Sequence, residues 1–190
     1  MRASRGQSNR NDHEGGIMPS PLPSDPIAEA QRQWHEHGWT DAADGMAAIT
    51  AIMRTQQILL SRIETVLKEF SLTFARYELL TLLSFTRSGA LPMAKASARL
   101  QVHPTSVTNA VDRLVTAGLV RRVRHPTDGR TTLVEITDHG RARTLAATRE
   151  LNEQVFATSG FEDRDLAVLN ETLARFRHKT GDFGVVDSVP

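Results

Sequence analysis

The sequence predicts a mainly α-helical chain with one small β-wing, an α+β arrangement of the winged helix-turn-helix kind. Two observations carry this. First, two short helix-forming runs, MAKASARL (93–100) and PTSVTNAVDRLVT (104–116), are separated by the turn Gln101-Val102-His103. Second, two strand patterns follow directly, at 119–124 and 131–137. They flank His125-Pro126-Thr127-Asp128-Gly129-Arg130, where Asp-Gly marks a hairpin turn. Helix, turn, helix and arginine-tipped hairpin make double-stranded DNA the first partner to consider.

The remaining elements follow in order. Residues 1–24 are rich in Arg, Ser, Asn, Gly and Pro and are expected to be a disordered tail, with Met18 as an alternative start. Residues 25–44 form an N-terminal arm. Asp25-Pro26 opens a short helix that ends at Gly38, and Trp34 and Trp39 are read as anchors for the arm. Residues 45–72 hold the longest helical pattern, with Ile49, Ile52, Met53, Gln56, Leu59, Leu60, Ile63, Val66 and Leu67 at three- and four-residue steps. A helix this long outreaches a small winged domain, so a second copy of the chain is the economical partner for its stripe.

The winged domain is placed at 73–140. Its first helix, Phe74–Ser84, has Phe74, Tyr77, Leu80, Leu83 and Phe85 as the expected core face. Pro92 opens the next helix, Pro104 fits the first turn of the one after, and Gly118 closes that one. Thr137 is read as the cap of a helix from Arg141 to about Thr158. A last helix spans Asp163 to about Lys179, with Leu166, Leu169, Leu173 and Phe176 on one face. Residues 141–180 are therefore taken as linker and dimerisation helices, and 181–190 as a loose tail.

Composition narrows the function. The 190-residue chain has no cysteine, which excludes disulfides, thiolate metal sites and cysteine redox sensing. No apolar run approaches the ~18 residues of a membrane span, and the N-terminus lacks the apolar core of a secretory signal, so a cytoplasmic protein is expected. His35 and His37 are the closest histidine pair, but their spacing puts them on different helix faces, so no metal site is expected. No cofactor is expected either. Neither a phosphate loop, a Ser-His-Asp order nor a convergent carboxylate pair supports an enzyme. Net charge is only +1, yet residues 73–143 carry eleven Lys and Arg against five Asp and Glu, which is +6 and leaves −5 for the rest. A basic middle between acidic flanks suits a polyanion-facing module.

On the 104–116 helix, Val107, Ala110, Val111, Leu114 and Val115 form the expected buried side. Thr105, Ser106, Thr108, Asn109, Asp112 and Arg113 form the other. Short hydroxyl and amide groups can bond base edges or phosphates where a backbone comes close, and Asn109 can bond an adenine edge bidentately. The wing adds Arg121, Arg122 and Arg124 on a strand and Arg130 at the turn, where a guanidinium can enter a narrow minor groove. Asp128, two residues from Arg130, is read as wing support that pairs with that arginine.

These residues carry a resemblance. DGRTTLVEITDHG resembles the wing signature of the MarR family of bacterial transcription regulators, Asp-x-Arg followed by Leu/Ile-Thr-x-x-Gly. SVTNAVDRLVTAGLVRR is similar to that family's recognition helix and first wing strand. The likeness covers about 47–179, and the arm from Asp25 to Trp39 goes beyond it. The resemblance implies a homodimer built from the first and last helices, bound to a pseudo-palindromic operator and usually repressing it. It implies that Thr105, Ser106, Thr108 and Asn109 meet the major groove, Arg113 a phosphate or base, and Arg130 the minor groove, with Arg76 and Arg87 as looser phosphate contacts. It further implies a small aromatic or anionic effector that releases DNA. That effector would sit at a junction lined by Ile49, Met53, Gln56, Phe74, Tyr77 and the helix beginning at Arg141, closed by His35, His37 and Trp39 if the arm folds over. The alternative function is a winged-helix protein–protein interaction module that does not bind DNA.

Overall fold

In a computed structural model, residues 22–128 and 130–184 are described. The expected N-terminal disorder through residue 21, the alternative start at Met18 and the tail from 185 lie outside them. The chain divides into two compact units, 1–56 and 57–190.

In the first unit, helix α1 spans Pro26–Glu36. Asp25 starts it by accepting from the Ile27 amide at 2.9 Å, and proline fills the first turn, where no N–H is missed. Gly38, at φ 80°, ends it in a conformation that disfavours other residues. The Trp39 ring stacks on His37 and meets Trp34 edge-on, with centroids 5.4 and 5.2 Å apart. The next helix, α2, spans Thr40–Lys68 and so begins five residues before Gly45, the expected start. Gly45 weakens a helix by only about 1 kcal/mol. Ala43 is fully buried and Gln31 donates to Asp44 at 2.8 Å, so contacts within this unit hold the added turn. Beyond it, Ile49, Ile52 and Met53 are all more than half exposed.

The second unit takes the end of α2, where Ile63, Val66 and Leu67 are buried. Next come α3 (Phe74–Ser84), β1 (Ala90–Pro92), α4 (Met93–Leu100), α5 (Pro104–Thr116), β2 (Val120–Arg124), β3 (Thr132–Ile136), α6 (Asp138–Leu151) and α7 (Asp163–Lys179). A π-helical turn, Asn152–Phe156, extends α6. The sheet is antiparallel in the order β1-β3-β2, with Arg121 opposite Glu135 and Arg122 opposite Val134. Its buried face, Val120, Val134 and Ile136, joins Leu79, Leu80 and Leu83 of α3 and Val107, Val111 and Leu114 of α5 in one core. Helices around a small sheet on one core make this a winged helix.

Several expectations are corrected here. Strand β1 was not anticipated: three residues ending in proline look like a helix lead-in, but at a sheet edge proline loses no needed donor. Phe85 is 84% exposed rather than core. Its backbone is still helical at the C-cap, and at about 100° per residue it falls on the far side of α3 from Leu79, Leu80 and Leu83, so helical phase aims it outward while Leu79 packs inward. Val115 is 36% exposed because it lies at the margin of the α5 stripe, two turns along the same line from the exposed Thr108. Helix α6 starts three residues before Arg141, immediately after its Thr137 cap, and its α-helical hydrogen bonding stops at Leu151.

Two glycines fix the geometry near α6. A Cβ on Gly140 would sit 2.1 Å from the Leu119 carbonyl oxygen. A Cβ on Gly89, at φ 69°, would sit 2.0 Å from an Arg141 nitrogen. The Gly140 clash is with backbone, which cannot swing away as a side chain can. Gly140→Ala is therefore expected to lose roughly 1–3 kcal/mol from overpacking. The check is a thermal melt of the variant beside the parent; an unchanged midpoint would contradict the contact.

Candidate nucleic-acid interface

The exposed face of α5 is built at its start by His103. The imidazole Nδ1 accepts from the Thr105 amide at 3.3 Å, and Pro104 occupies the first turn. Thr105, Ser106, Thr108, Asn109, Asp112 and Arg113 are all exposed, as the hydrophobic stripe required. The Thr108 hydroxyl donates back to the Pro104 carbonyl at 3.0 Å, which leaves its oxygen able only to accept. The side chains of Ser106, Asn109 and Arg113 make no hydrogen bond among the described residues. They line an open cleft together with Thr73, Ala75 and Arg76 at the start of α3. Thr73 sits in the N-cap position without capping through its side chain. The start of α3 thus borders the same cleft as the exposed α5 face, where Arg76 and Arg113 supply positive charge and Asp112 a negative one.

The wing arginines do not form one uniform basic set. Arg121 is held bidentately by Glu135 across the hairpin, at 2.8 and 3.1 Å. The Glu135 carboxyl is accordingly kept below its usual range, and the Arg121 guanidinium is raised above its own. Arg122 donates to Asp112 of α5 at 2.6 Å. Arg124 and Arg130 are exposed and make no ion pair among the described residues. Arg113 is likewise exposed.

Asp128 supports the wing differently from expectation. It does not pair with the Arg130 guanidinium. Its carboxylate accepts from the Thr131 hydroxyl at 2.6 Å and from the Arg130 backbone amide at 3.1 Å. A short turn-forming carboxylate bonds nearby backbone more readily than a long, flexible guanidinium. These bonds, the Thr131 one first, hold the Asp128 carboxyl below its usual range. On the other side of the turn, His125 Nδ1 accepts from the Asp128 amide at 3.2 Å. The turn is thus shaped from within, and Arg130 is left to project from it.

The residues expected at an effector junction are divided between the two units. His35, Trp39, Ile49, Met53 and Gln56 lie in the first, each exposed. Phe74 and Tyr77 lie in the second, with rings stacked at 6.5 Å, and the Tyr77 hydroxyl bonds Thr148 of α6 at 3.0 Å. Next along α3 and α6 is a cleft of about 280 Å³ lined by Thr81, Ser84, Phe85, Arg141, Thr144, Leu145 and Thr148. The Thr81 hydroxyl oxygen is buried there without a hydrogen-bond partner. Sequence reasoning missed this cleft and the Asp112–Arg122 pair, since both join residues distant in the chain. Among the described residues, no group of three or more His, Cys, Asp or Glu could hold a metal ion.

Comparison with known proteins agrees with this architecture. The profile of the MarR family matches residues 70–131. The solved structure of Sco5413, a MarR family transcriptional regulator from Streptomyces coelicolor, is 50% identical, covers 74% of this chain and 97% of its own, and superposes with a TM-score of 0.67. Sco3205, from the same organism and solved in complex with DNA, is 19% identical, covers 72% of this chain and 88% of its own, and has a TM-score of 0.63, a likeness of fold alone. YdgJ of Bacillus subtilis, an uncharacterised HTH-type transcriptional regulator, is 32% identical over 107 residues, or 55% of this chain. The chain spans 63% of that relative, less than two thirds of its length.

The lowered Asp128 carboxyl fixes a sign. A carboxyl whose native pKa is depressed supports structure above its unfolded pKa and loses that support as pH falls through the native value. Wing-tip order is therefore expected to persist at neutral pH and fade only in acid, below the ordinary aspartate range. Asp128→Ala should speed hydrogen exchange at the Arg130 amide at pH 7 and leave α5 amides unchanged; equal protection in both proteins would remove the role given to Asp128.

Proposed function

The chain belongs to the MarR family of winged helix-turn-helix transcription regulators, and on that premise we propose that it is a homodimeric repressor of a pseudo-palindromic operator. One observation carries the DNA-binding part. Ser106, Asn109, Asp112 and Arg113 of the exposed α5 face share a cleft with the start of α3 and Arg76, and Thr105 and Thr108 stand exposed on the same helix. This joins base-reading groups to a phosphate seat, the two classes of contact that operator binding needs. Arg130 and Arg124 extend the surface toward an adjacent minor groove. Arg121 and Arg122 contribute through the carboxylates they hold rather than as open cations.

Residues 73–140 serve as the DNA-binding domain in this reading, and 45–72 with 141–180 as the dimerisation and linker helices. The exposed stripe Ile49, Ile52 and Met53, and an α7 with no buried residue, support a second copy as partner. The chain acts in the cytoplasm, where its operator is; no described helix is long and apolar enough to cross a membrane. Relief by a small organic anion is supported by the α3–α6 cleft, where Phe85 and Leu145 offer apolar walls, Arg141 a cation and Thr81 an unused hydroxyl.

The test is a gel shift on DNA flanking the protein's own gene, with random competitor, at 50 and 200 mM salt. Six to ten phosphate contacts would lower affinity roughly 10³–10⁵-fold between those concentrations. Asn109→Ala should relax preference at one base position per half-site. Arg130→Ala should weaken binding to all sequences and reduce the salt slope by about 1. If neither variant departs from the parent, the major- and minor-groove assignments are wrong.

A further inference from the structure

We infer that Asp112 is a specificity-determining residue that reads a donor on a base edge, a cytosine amino group by preference, with Arg122 orienting it. The inference rests on the DNA-binding reading above. Thr105, Asn109, Asp112 and Thr116 recur at four, three and four residues, so they share one line along α5. Val107, Val111 and Leu114 are buried on the opposite side. A carboxylate therefore stands in the middle of the face expected to meet the major groove.

Affinity alone gives no reason for that charge. An unpaired carboxylate there is repelled by the phosphates of every duplex. The structure offsets the charge with one specific bond: Arg122 Nη2 donates to Asp112 Oδ1 at 2.6 Å. Arg122 stands on β2 opposite Val134, which is fully buried at the centre of the sheet, so its backbone is firmly set. The guanidinium takes Oδ1, and Oδ2 accepts no hydrogen bond among the described residues. The Thr116 hydroxyl bonds the Asp112 backbone carbonyl, at 2.9 Å, and does not compete for the side chain.

An acceptor-only group with a fixed orientation discriminates by sign. In the major groove cytosine presents its N4 amino donor, and a carboxylate is its usual partner. Guanine presents N7 and O6, and thymine presents O4, all acceptors that a carboxylate repels. Asp112 thus rewards bases that offer an amino donor, cytosine before adenine, whose N6 donor sits beside the N7 acceptor, and rejects guanine and thymine.

The experiment selects duplexes from a randomised pool with the full-length parent, Asp112→Ala and Arg122→Gln, after thermal melts establish that each is folded. The parent is expected to enrich cytosine at one position in each half-site. Asp112→Ala should lose that column alone, bind random-sequence competitor several-fold more tightly and show about a tenfold smaller ratio of specific to non-specific affinity. Arg122→Gln should blur the same column and spare the others. An Asp112→Ala profile that matches the parent at every position overturns the inference and leaves the regulator reading intact. Loss of all columns together also overturns it, because the pair would then be structural. A folded parent that enriches no sequence overturns the DNA-binding reading and this inference with it.

Discussion

The winged unit depends on one close approach, where the start of α6 meets the backbone at the exit of α5. The Thr137 hydroxyl donates to the carbonyls of Gly118 and Leu119 at 2.8 and 3.1 Å and accepts from the Gly140 amide at 3.0 Å. The Thr137 amide donates to the same Leu119 carbonyl at 3.0 Å, and the Leu119 amide reaches back to Leu114 at 2.9 Å. The end of α5, the start of β2, the end of β3 and the start of α6 are joined within one hydrogen-bonded knot. Only glycine at 140 lets the backbones come this near. A displacement of α6 must therefore carry the hairpin and α5 with it, which gives a fixed linkage between a helix outside the wing and the face proposed to read DNA.

Charge on that face is arranged rather than merely accumulated. Exposed ion pairs add little stability, being screened by solvent, so the Glu135–Arg121 and Asp112–Arg122 pairs matter little in that respect. Their effect is geometric. Glu135 lays Arg121 along the hairpin, and Asp112 ties the wing strand to the helix beside it. Arg113, Arg124 and Arg130 keep their charge open to solvent. A polyanion meets fewer uncommitted cations than the local charge count suggests, each in a more defined place.

What was legible in the sequence followed range of interaction. Helices α3, α4, α5 and α7, the hairpin and the Asp25 and Thr137 caps are written in local signals: periodicity, proline and glycine placement, and an Asp-Gly turn. Strand β1 was not, because its identity comes from pairing with β3 some forty residues later. The outward turn of Phe85 was legible, since helical phase puts it on the far side of α3 from Leu80 and Leu83; its apolar character alone had suggested the core. Among candidate site residues, the polar face of α5 was readable from its stripe. The engagement of Arg121 and Arg122 was not, since alternation sends these adjacent side chains to opposite faces but does not say that Glu135 lies opposite the one and Asp112 of α5 meets the other. Asp128 was placed correctly in the turn but given the wrong partner.

Helix α7 carries the argument for a second copy further than the others. It spans 17 residues and buries none of them. Leu166, Leu169 and Leu173 are half-covered, while Val168 and Phe176 stay 64% and 65% exposed. Isolated helices shorter than about 12–15 residues are marginal in water, and in proteins most helical stability comes from covering an apolar face. Its terminal charges help, with Asp163 and Asp165 in the first turn and Arg177, His178 and Lys179 in the last, but such end effects amount to about 1 kcal/mol or less each. In the homodimer proposed above, a surface matching that apolar stripe adds to its stability, and the exposed stripe of α2 presents one of the same character on every copy. Self-association by such stripes closes with two-fold symmetry, the symmetry a palindromic operator would present in return.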